Sequence, residues 1–420
     1  MKHKITLFIF SAFFLFNTSL LANGLSLNSV GPRAFGMGGA FVGLANDYSA
    51  IYWNPAGLSL LKGNYISIFG TDIIPTSTYK YAPADVDAES KVNHYLSPNL
   101  MGYLSFKPSI DLTIGLGVYV PAGIGSEWEG ADLKNLAGGN AVEWMSKIGV
   151  INISPVVAYK INENFQVGAA FNIYYAMFDL KRHGGGPAQY SEESTGLGFG
   201  VTIGALVKVN DMISVGASFR TKSNVTMNGT ATNPAMLAVP GNTAAESEFD
   251  RDVAWPMWIA GGISVRPIEK LTLALDAQFS QWSKSENELV TEFKNQYWSG
   301  YLTPSGANKF ILQWKDATQI RFGAEYEATE CLKLRTGYYY DPAPAPDNTY
   351  NVLFPSMTYN GFTLGASYKI SDFTIEGGAE YLIGGEREIP APTSVTDTPR
   401  FPGTHQTNIT AFTLGVGYEF

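Results

Sequence analysis

The chain has 420 residues, a formal net charge of −9 and only 15% charged side chains. Soluble domains carry roughly 25% charge, so a soluble enzyme fits poorly, and the acidic balance argues against nucleic acid as a partner. Cys331 is the single cysteine, which excludes an intrachain disulfide.

Lys2, His3 and Lys4 precede an apolar run from Ile5 to Phe16 and small residues ending at Ala22. That pattern predicts a secretory signal over residues 1–22, set apart from the fold. The run is too short to span a bilayer, and no later segment has the length of a membrane helix. Residues 23–62 are rich in Gly, Ala and Asn and do not alternate. They read as short turns and helical pieces.

From residue 63 onward the text changes period. Apolar and polar residues alternate, as they do when successive side chains of a strand face lipid and lumen in turn. Candidate strands run from Tyr65 to Gly70, Leu100 to Phe106, Ile110 to Val120, Ile148 to Tyr159, Phe165 to Asp179, Leu197 to Lys208 and Ile213 to Met227. They continue from Trp258 to Val265, Leu271 to Lys284, Phe310 to Glu327, Leu332 to Tyr340, Tyr359 to Lys369, Phe373 to Gly384 and Gln406 to Phe420. In the last of these, Phe412, Leu414, Val416, Tyr418 and Phe420 share one face. Leu271, Leu273, Leu275, Ala277 and Phe279 do the same, opposite Thr272, Ala274, Asp276, Gln278 and Ser280.

Short turns separate the members of each strand pair, and longer segments separate the pairs. The predicted fold is therefore all-β: a transmembrane antiparallel barrel of about 14 strands over residues 63–420, with residues 23–62 as an N-terminal plug and both termini in the periplasm. An exported chain of this kind belongs in a bacterial outer membrane, where lipid surrounds it, and a monomer is expected.

The segment after the signal carries the most specific text. Ser29 to Ala40 reads SVGPRAFGMGGA, Asn46-Asp47 follows, and then Tyr52-Trp53-Asn54-Pro55-Ala56-Gly57-Leu58. It resembles the N-terminal hatch of the FadL/TodX family, outer-membrane transporters of long-chain fatty acids and hydrocarbons. Tyr119-Val120-Pro121-Ala122-Gly123 looks like that family's third-strand exit, and Trp314-Lys315-Asp316-Ala317 and Leu334-Arg335-Thr336-Gly337-Tyr338 look like its tenth and eleventh strands. The resemblance covers the mature chain in order. It implies a 14-stranded barrel plugged by its hatch, capture of a fatty acid or aromatic hydrocarbon on apolar loops, binding inside the barrel, a hatch shift, and lateral release into the membrane. It also implies a gating role for Asn54, Pro55 and Ala56, whose plain alternative is an Asn-Pro turn. One departure is the loop from Leu180 to Gly196, which is short and polar here; the loops with Trp128 to Trp144 and Ala235 to Pro240 are more apolar.

Alternation places Lys315, Arg321, Arg335 and Arg220 inward, where a cation can pair with a carboxylate headgroup. The competing role is structural, with these cations paired to inward carboxylates such as Glu325, Glu376 and Glu380. Inward Tyr119, Tyr174, Phe178 and Trp282 either line a cargo path or fill the lumen. Trp255, Trp258, Trp282, Trp298 and Trp314 fall near strand ends and read as an interfacial girdle. No Ser/His/Asp arrangement, metal-ligand spacing or cofactor motif stands out, so neither an enzyme nor a bound cofactor or metal is expected. Two other functions share parts of this text. One is a non-transporting scaffold of the same barrel family, serving protein secretion or surface attachment; the other is a general porin, which the plug argues against.

Overall fold

The computed structural model describes residues 30–285, 287–391 and 401–420. The predicted signal and residues 23–29 lie outside the described residues. Fourteen antiparallel wall strands form the molecule. They are β1 Asn64–Tyr81, β2 Tyr95–Ser105, β3 Leu112–Trp128, β4 Trp144–Asn162, β5 Phe165–His183 and β6 Gln189–Lys208. β7 is Ile213–Arg220 continued by Ser223–Thr232, and β8 is Glu246–Trp255 continued by Trp258–Ile268. β9 Leu271–Ser280, β10 Ala317–Glu327, β11 Leu332–Asp341, β12 Tyr359–Ile370, β13 Phe373–Gly384 and β14 Gly403–Glu419 complete the series. β1 pairs β14 from Tyr65 opposite Glu419 to Lys80 opposite Thr404, which closes the ring and removes both sheet edges.

Side-chain alternation decides which way each strand faces. Ile68, Leu364 and Leu414 are about two-thirds exposed on the outer wall, while Thr71, Thr363 and Thr413 on the same strands are buried inside. Each outward Leu or Ile is stable there only against an apolar solvent, whereas a soluble sheet would turn that face inward. No helix among the described residues is long and apolar enough to cross a membrane.

Residues 30–62 lie inside the ring. They form two short helices, α1 Pro32–Gly36 and α2 Ala50–Trp53, followed by a 3-10 turn over Pro55–Leu60. Pro32 and Pro55 each start an element, where a missing N–H costs nothing. Phe35, Phe41, Ile51, Trp53 and Leu58 are buried and pack against inward Phe69, Met101, Val156 and Ala170 of the wall. Wall glycines permit this close approach. A Cβ on Gly216 would stand 2.1 Å from the Val42 carbonyl oxygen, and one on Gly337 would stand 2.3 Å from the Gly38 nitrogen.

Several sequence boundaries move. β1 extends to Tyr81, well past the expected end at Gly70, because Thr71, Ser77 and Tyr79 continue the inward face. β5 and β6 run on to His183 and from Gln189, so the expected third loop shrinks to residues 184–188. β9 ends at Ser280, and β10 begins only at Ala317. Lys309–Ile311 pairs instead with Glu288–Val290 as a small hairpin over the barrel.

Candidate functional site in the barrel interior

The inner segment is tied to the wall by charge and by backbone. Arg33 on α1 donates Nε to Glu325 Oε2 and Nη2 to Glu325 Oε1, both at 2.8 Å, and reaches Asp47 at 3.4 Å. Arg335 of β11 donates Nε to the same carboxylate at 2.7 Å and Nη2 to Ser367 Oγ at 2.8 Å. Tyr48 donates its hydroxyl to Glu376 at 2.8 Å. Burial, and then the Glu376 carboxylate, raises that phenol well above its ordinary value, so it stays a donor. Asp276 of β9 accepts the Val42 N–H at 2.6 Å.

The sequence-predicted residues divide. Asn54 is fully buried and donates Nδ2 to the Val42 carbonyl inside and to the Ala205 carbonyl of β6, both at 3.0 Å. Its Oδ1 accepts from Ala56 at 3.2 Å, with Pro55 opening the 3-10 turn. Arg321 and Arg335 do face inward. Arg321 donates to the Gly38 carbonyl and to Gln319, with its guanidinium 5.1 Å from the Trp53 ring centroid. Both arginines thus engage the inner segment or its ion pairs. Lys315 does not face inward: it is exposed, in the loop before β10, because the predicted strand over Phe310 to Asp316 breaks there.

Two apolar clusters fill the interior. The lower one holds the inner segment and wall residues including Tyr119. The upper one holds Tyr174, Phe178 and the inward-folded loops, with Phe354 packed on Phe178 and Phe310. Between them runs a polar belt. Asn152 donates to Tyr119 Oη at 2.7 Å and to Asn172 Oδ1 at 2.9 Å; Asn172 donates to Thr202 Oγ1 at 2.9 Å. Arg220 of β7 ends the belt by donating to Thr202 and to the Tyr52 carbonyl, each at 3.1 Å. Above it lies an apolar pocket lined by Phe178, Met227, Trp255, Leu289, Trp314 and Phe354.

The tryptophans correct a second expectation. Trp258, Trp282, Trp298 and Trp314 are buried in the interior, not spread as a girdle, and Trp255 lines the pocket. Trp282 meets Trp314 edge-on at 4.9 Å. Large rings fill a wide lumen, and the outer wall presents Tyr and Phe instead, such as Tyr159, Phe171, Tyr381 and Phe420.

Among the described residues the wall is interrupted at Thr221-Lys222 of β7 and at Pro256-Met257 of β8, and it is irregular again at β3. β2 pairs β3 only from Ser105 opposite Thr113 to Leu100 opposite Val118. β3 then slips by one residue against β4 between Tyr119 and Ala122. Below the slip Thr113, Gly117 and Tyr119 are buried; above it Ala122, Ser126 and Trp128 are. An extra residue flips the faces, and Pro121 supplies no N–H for a ladder. Asn99 Oδ1 takes the Val120 N–H at 2.9 Å, and backbone contact resumes only where Lys91 N–H reaches the Glu127 carbonyl at 2.7 Å. Tyr95 of β2 leans across the interval: a Cβ on Gly125 would stand 2.2 Å from its hydroxyl oxygen. Asn99, Tyr95 and Gly125 had no distinguishing sequence pattern; Tyr119 through Gly123 did.

Comparison with known proteins agrees with this architecture. The model of the family described as outer membrane protein transport protein (OMPP1/FadL/TodX) matches residues 14–420. The long-chain fatty acid transport protein of Escherichia coli O6:H1 is 22% identical, over 88% of this chain and 89% of that protein. A crystal structure of a Pseudomonas aeruginosa FadL homologue superposes with a TM-score of 0.75 at 17% identity, covering 94% of this chain and 100% of that one. The Pseudomonas putida toluene transporter TodX gives 0.73 at 17% identity, covering 94% and 99%. With a family match over nearly the whole length, and a closed ring of fourteen strands around an N-terminal segment, the chain belongs to the OMPP1/FadL/TodX family of outer-membrane proteins.

Proposed function

We propose that this barrel imports hydrophobic molecules, long-chain fatty acids or hydrocarbons, and discharges them sideways through the gap between β2 and β3. The gap is the observation that carries the reading. A ladder that stops at Val118 leaves this stretch of wall without strand pairing at the height of the polar belt, which supports a side opening there. Residues 30–62 act as the hatch, with Asn54, Pro55 and Ala56 as its fastening to β6. Neither cluster leaves a straight aqueous bore, which suits an apolar passenger: each CH₂ removed from water is worth about 0.8 kcal/mol. The short turns then lie in the periplasm with both termini, the long loops face outward, and one chain suffices.

Removing the slip tests this. Deletion of Pro121 restores a uniform register between β3 and β4. Cells relying on that variant are expected to keep a heat-modifiable barrel in the outer membrane and to lose most uptake of labelled oleate or toluene. Undiminished uptake would refute lateral discharge. A scaffold role predicts no uptake from the unaltered protein either, so the same assay separates the two readings.

A further inference from the structure

We propose that residues 90–94 form a strap across the head of the interval between β2 and β3, hinged on β1 and clasped to β3, and that undoing the clasp at Glu127 opens the side exit. This rests on the import reading and adds a regulator to its exit. The interval has two ends. Asn99 and Val120 close the lower one. Above them, among the described residues, backbone contact with β3 resumes where the Lys91 N–H meets the Glu127 carbonyl. The seven residue steps of β3 between Val120 and Glu127, at about 3.3 Å each, make roughly 23 Å. Without residues 90–94 that stretch is a notch open at the rim; with them it is a window.

The two attachments of the strap are unlike. At β1, Ser90 donates its N–H to the Ser77 carbonyl at 2.8 Å, and its hydroxyl accepts the Ser77 N–H at 2.9 Å. A ladder continues behind it, from Thr78 opposite Glu89 to Tyr81 opposite Val86. That end is held by backbone and serves as a hinge. At β3 the backbone supplies the Lys91 N–H and an isolated bridge between Ser90 and Trp128, and side chains supply the rest. Lys91 Nζ lies 2.8 Å from Glu127 and 3.1 Å from Glu129, and Asn93 donates Nδ2 to Glu127 at 3.0 Å. The Lys91 and Glu127 side chains are 34% and 30% exposed, so water competes for both and the pair holds weakly. The post they grip is fixed. Trp128 is buried in the upper cluster and donates Nε1 to the Val352 carbonyl at 3.3 Å. The strap is therefore the part that moves.

Its movement reaches the interval directly. The strap runs straight into Tyr95, the residue that leans across the interval over Gly125. Lifting the strap off β3 withdraws that ring. Val92 and Leu96, before and after Tyr95, are 61% and 75% exposed, so an oily molecule at the exit meets apolar surface on the moving part. A molecule that binds the lifted strap better than the clasped one shifts it toward the lifted state. His94 bonds to Asp72 of β1 at 2.7 Å, which keeps the hinge side attached while the clasp parts.

A reversible cross-link tests this in cells taking up labelled toluene. Cys331→Ser removes the native thiol, and Lys91→Cys with Glu127→Cys places two thiols at facing positions, within disulfide reach. Oxidation is expected to lower uptake by about tenfold or more, because a covalent tie outlasts an exposed pair, and a phosphine reductant to restore it. The reduced protein, which lacks the ion pairs, is expected to run about two- to fivefold faster than Cys331→Ser alone, the factor an exposed pair carries. Cross-linking the hinge instead, through Ser77→Cys with Ser90→Cys, is expected to leave uptake unchanged. Equal uptake by the oxidised and reduced clasp overturns the proposal. So does an equal loss in both states, which would make Lys91 and Glu127 only a strut, and so does a loss from the hinge cross-link as large as that from the clasp. If the clasp variant does not assemble, Glu127→Gln decides: faster uptake supports the strap, and an unchanged rate overturns it. No uptake by Cys331→Ser itself would remove the import reading and the strap together, whereas uptake indifferent to the cross-link removes the strap alone.

Discussion

Asn54 does three things at once: it closes its own turn through Ala56, holds the Val42 carbonyl, and crosses to the wall at Ala205. Replacing it with Leu leaves buried carbonyls without a donor, at about 1–3 kcal/mol apiece. Amide exchange over residues 30–62 is therefore expected to quicken by at least tenfold in Asn54→Leu, while exchange in β5 and β6 stays slow. Glu325 is a similar knot, since Arg33 and Arg335 share it. Glu325→Leu leaves Arg33 with Asp47 at 3.4 Å and Arg335 with Glu376 at 3.6 Å as their remaining carboxylates, and a loss of about 1–3 kcal/mol is expected, as when a hydrogen bond to a charged group is removed. Equilibrium unfolding in urea would register it as a lower midpoint. The Asn-Pro-Ala triplet could be picked out in the sequence because its residues are adjacent. The partners of Arg33 could not, because Glu325 is 292 positions away.

At the scale of single elements, β3 differs from its neighbours. β2 and β4 on either side of it keep one face inward throughout, as simple alternation requires, but β3 exchanges faces at Val120-Pro121; β7 and β8 do so too, across Thr221-Lys222 and Pro256-Met257. Tyr95 occupies the interval that results, over a glycine that makes room for its ring. Tyr95→Ala is expected to widen the opening and raise the initial rate of toluene uptake; Gly125→Val is expected to push the ring aside or block the gap and lower it. Rates unchanged in both variants would show that Tyr95 does not regulate passage. The reading of β3 from alternation alone holds from Leu112 to Val118 and fails beyond, since period two carries no information about where an extra residue is absorbed. The loops failed for another reason. Lys309–Ile311 alternates like a wall strand, yet its partner is a local segment, Glu288–Val290, and the pair caps the barrel instead of extending it.

The wall is apolar outside, and inside it is polar where strands face the lumen, with aromatic and aliphatic clusters filling the space between. Outside, Leu364 stands on β12 with 65% of its surface exposed. Leu364→Arg is expected to cost about 2–4 kcal/mol near the bilayer midplane, read as a fall in folding yield into vesicles. Inside, aromatic rings that the sequence assigned to an interfacial girdle instead close the top of the lumen around Trp282 and Trp314. With residues 30–62 below and these rings above, open-pore ion conductance in planar bilayers is not expected. A stable conductance of porin size would contradict the packed interior.

The sequence by itself determined the barrel, its strand number and the N-terminal segment, together with the inward direction of Arg220, Arg321 and Arg335. Those are local properties: a strand announces its two faces within a few residues, and charges avoid the lipid side because exposure there is costly. Only the tertiary structure decided which inward groups are already spoken for. Arg321 and Arg335 engage the inner segment and its ion pairs, Lys315 lies outside the wall altogether, and Arg220 meets phenols, an indole and a carbonyl where its counterparts meet carboxylates. Pairing depends on residues hundreds of positions apart arriving at the same height of a closed ring, and register and curvature set that height.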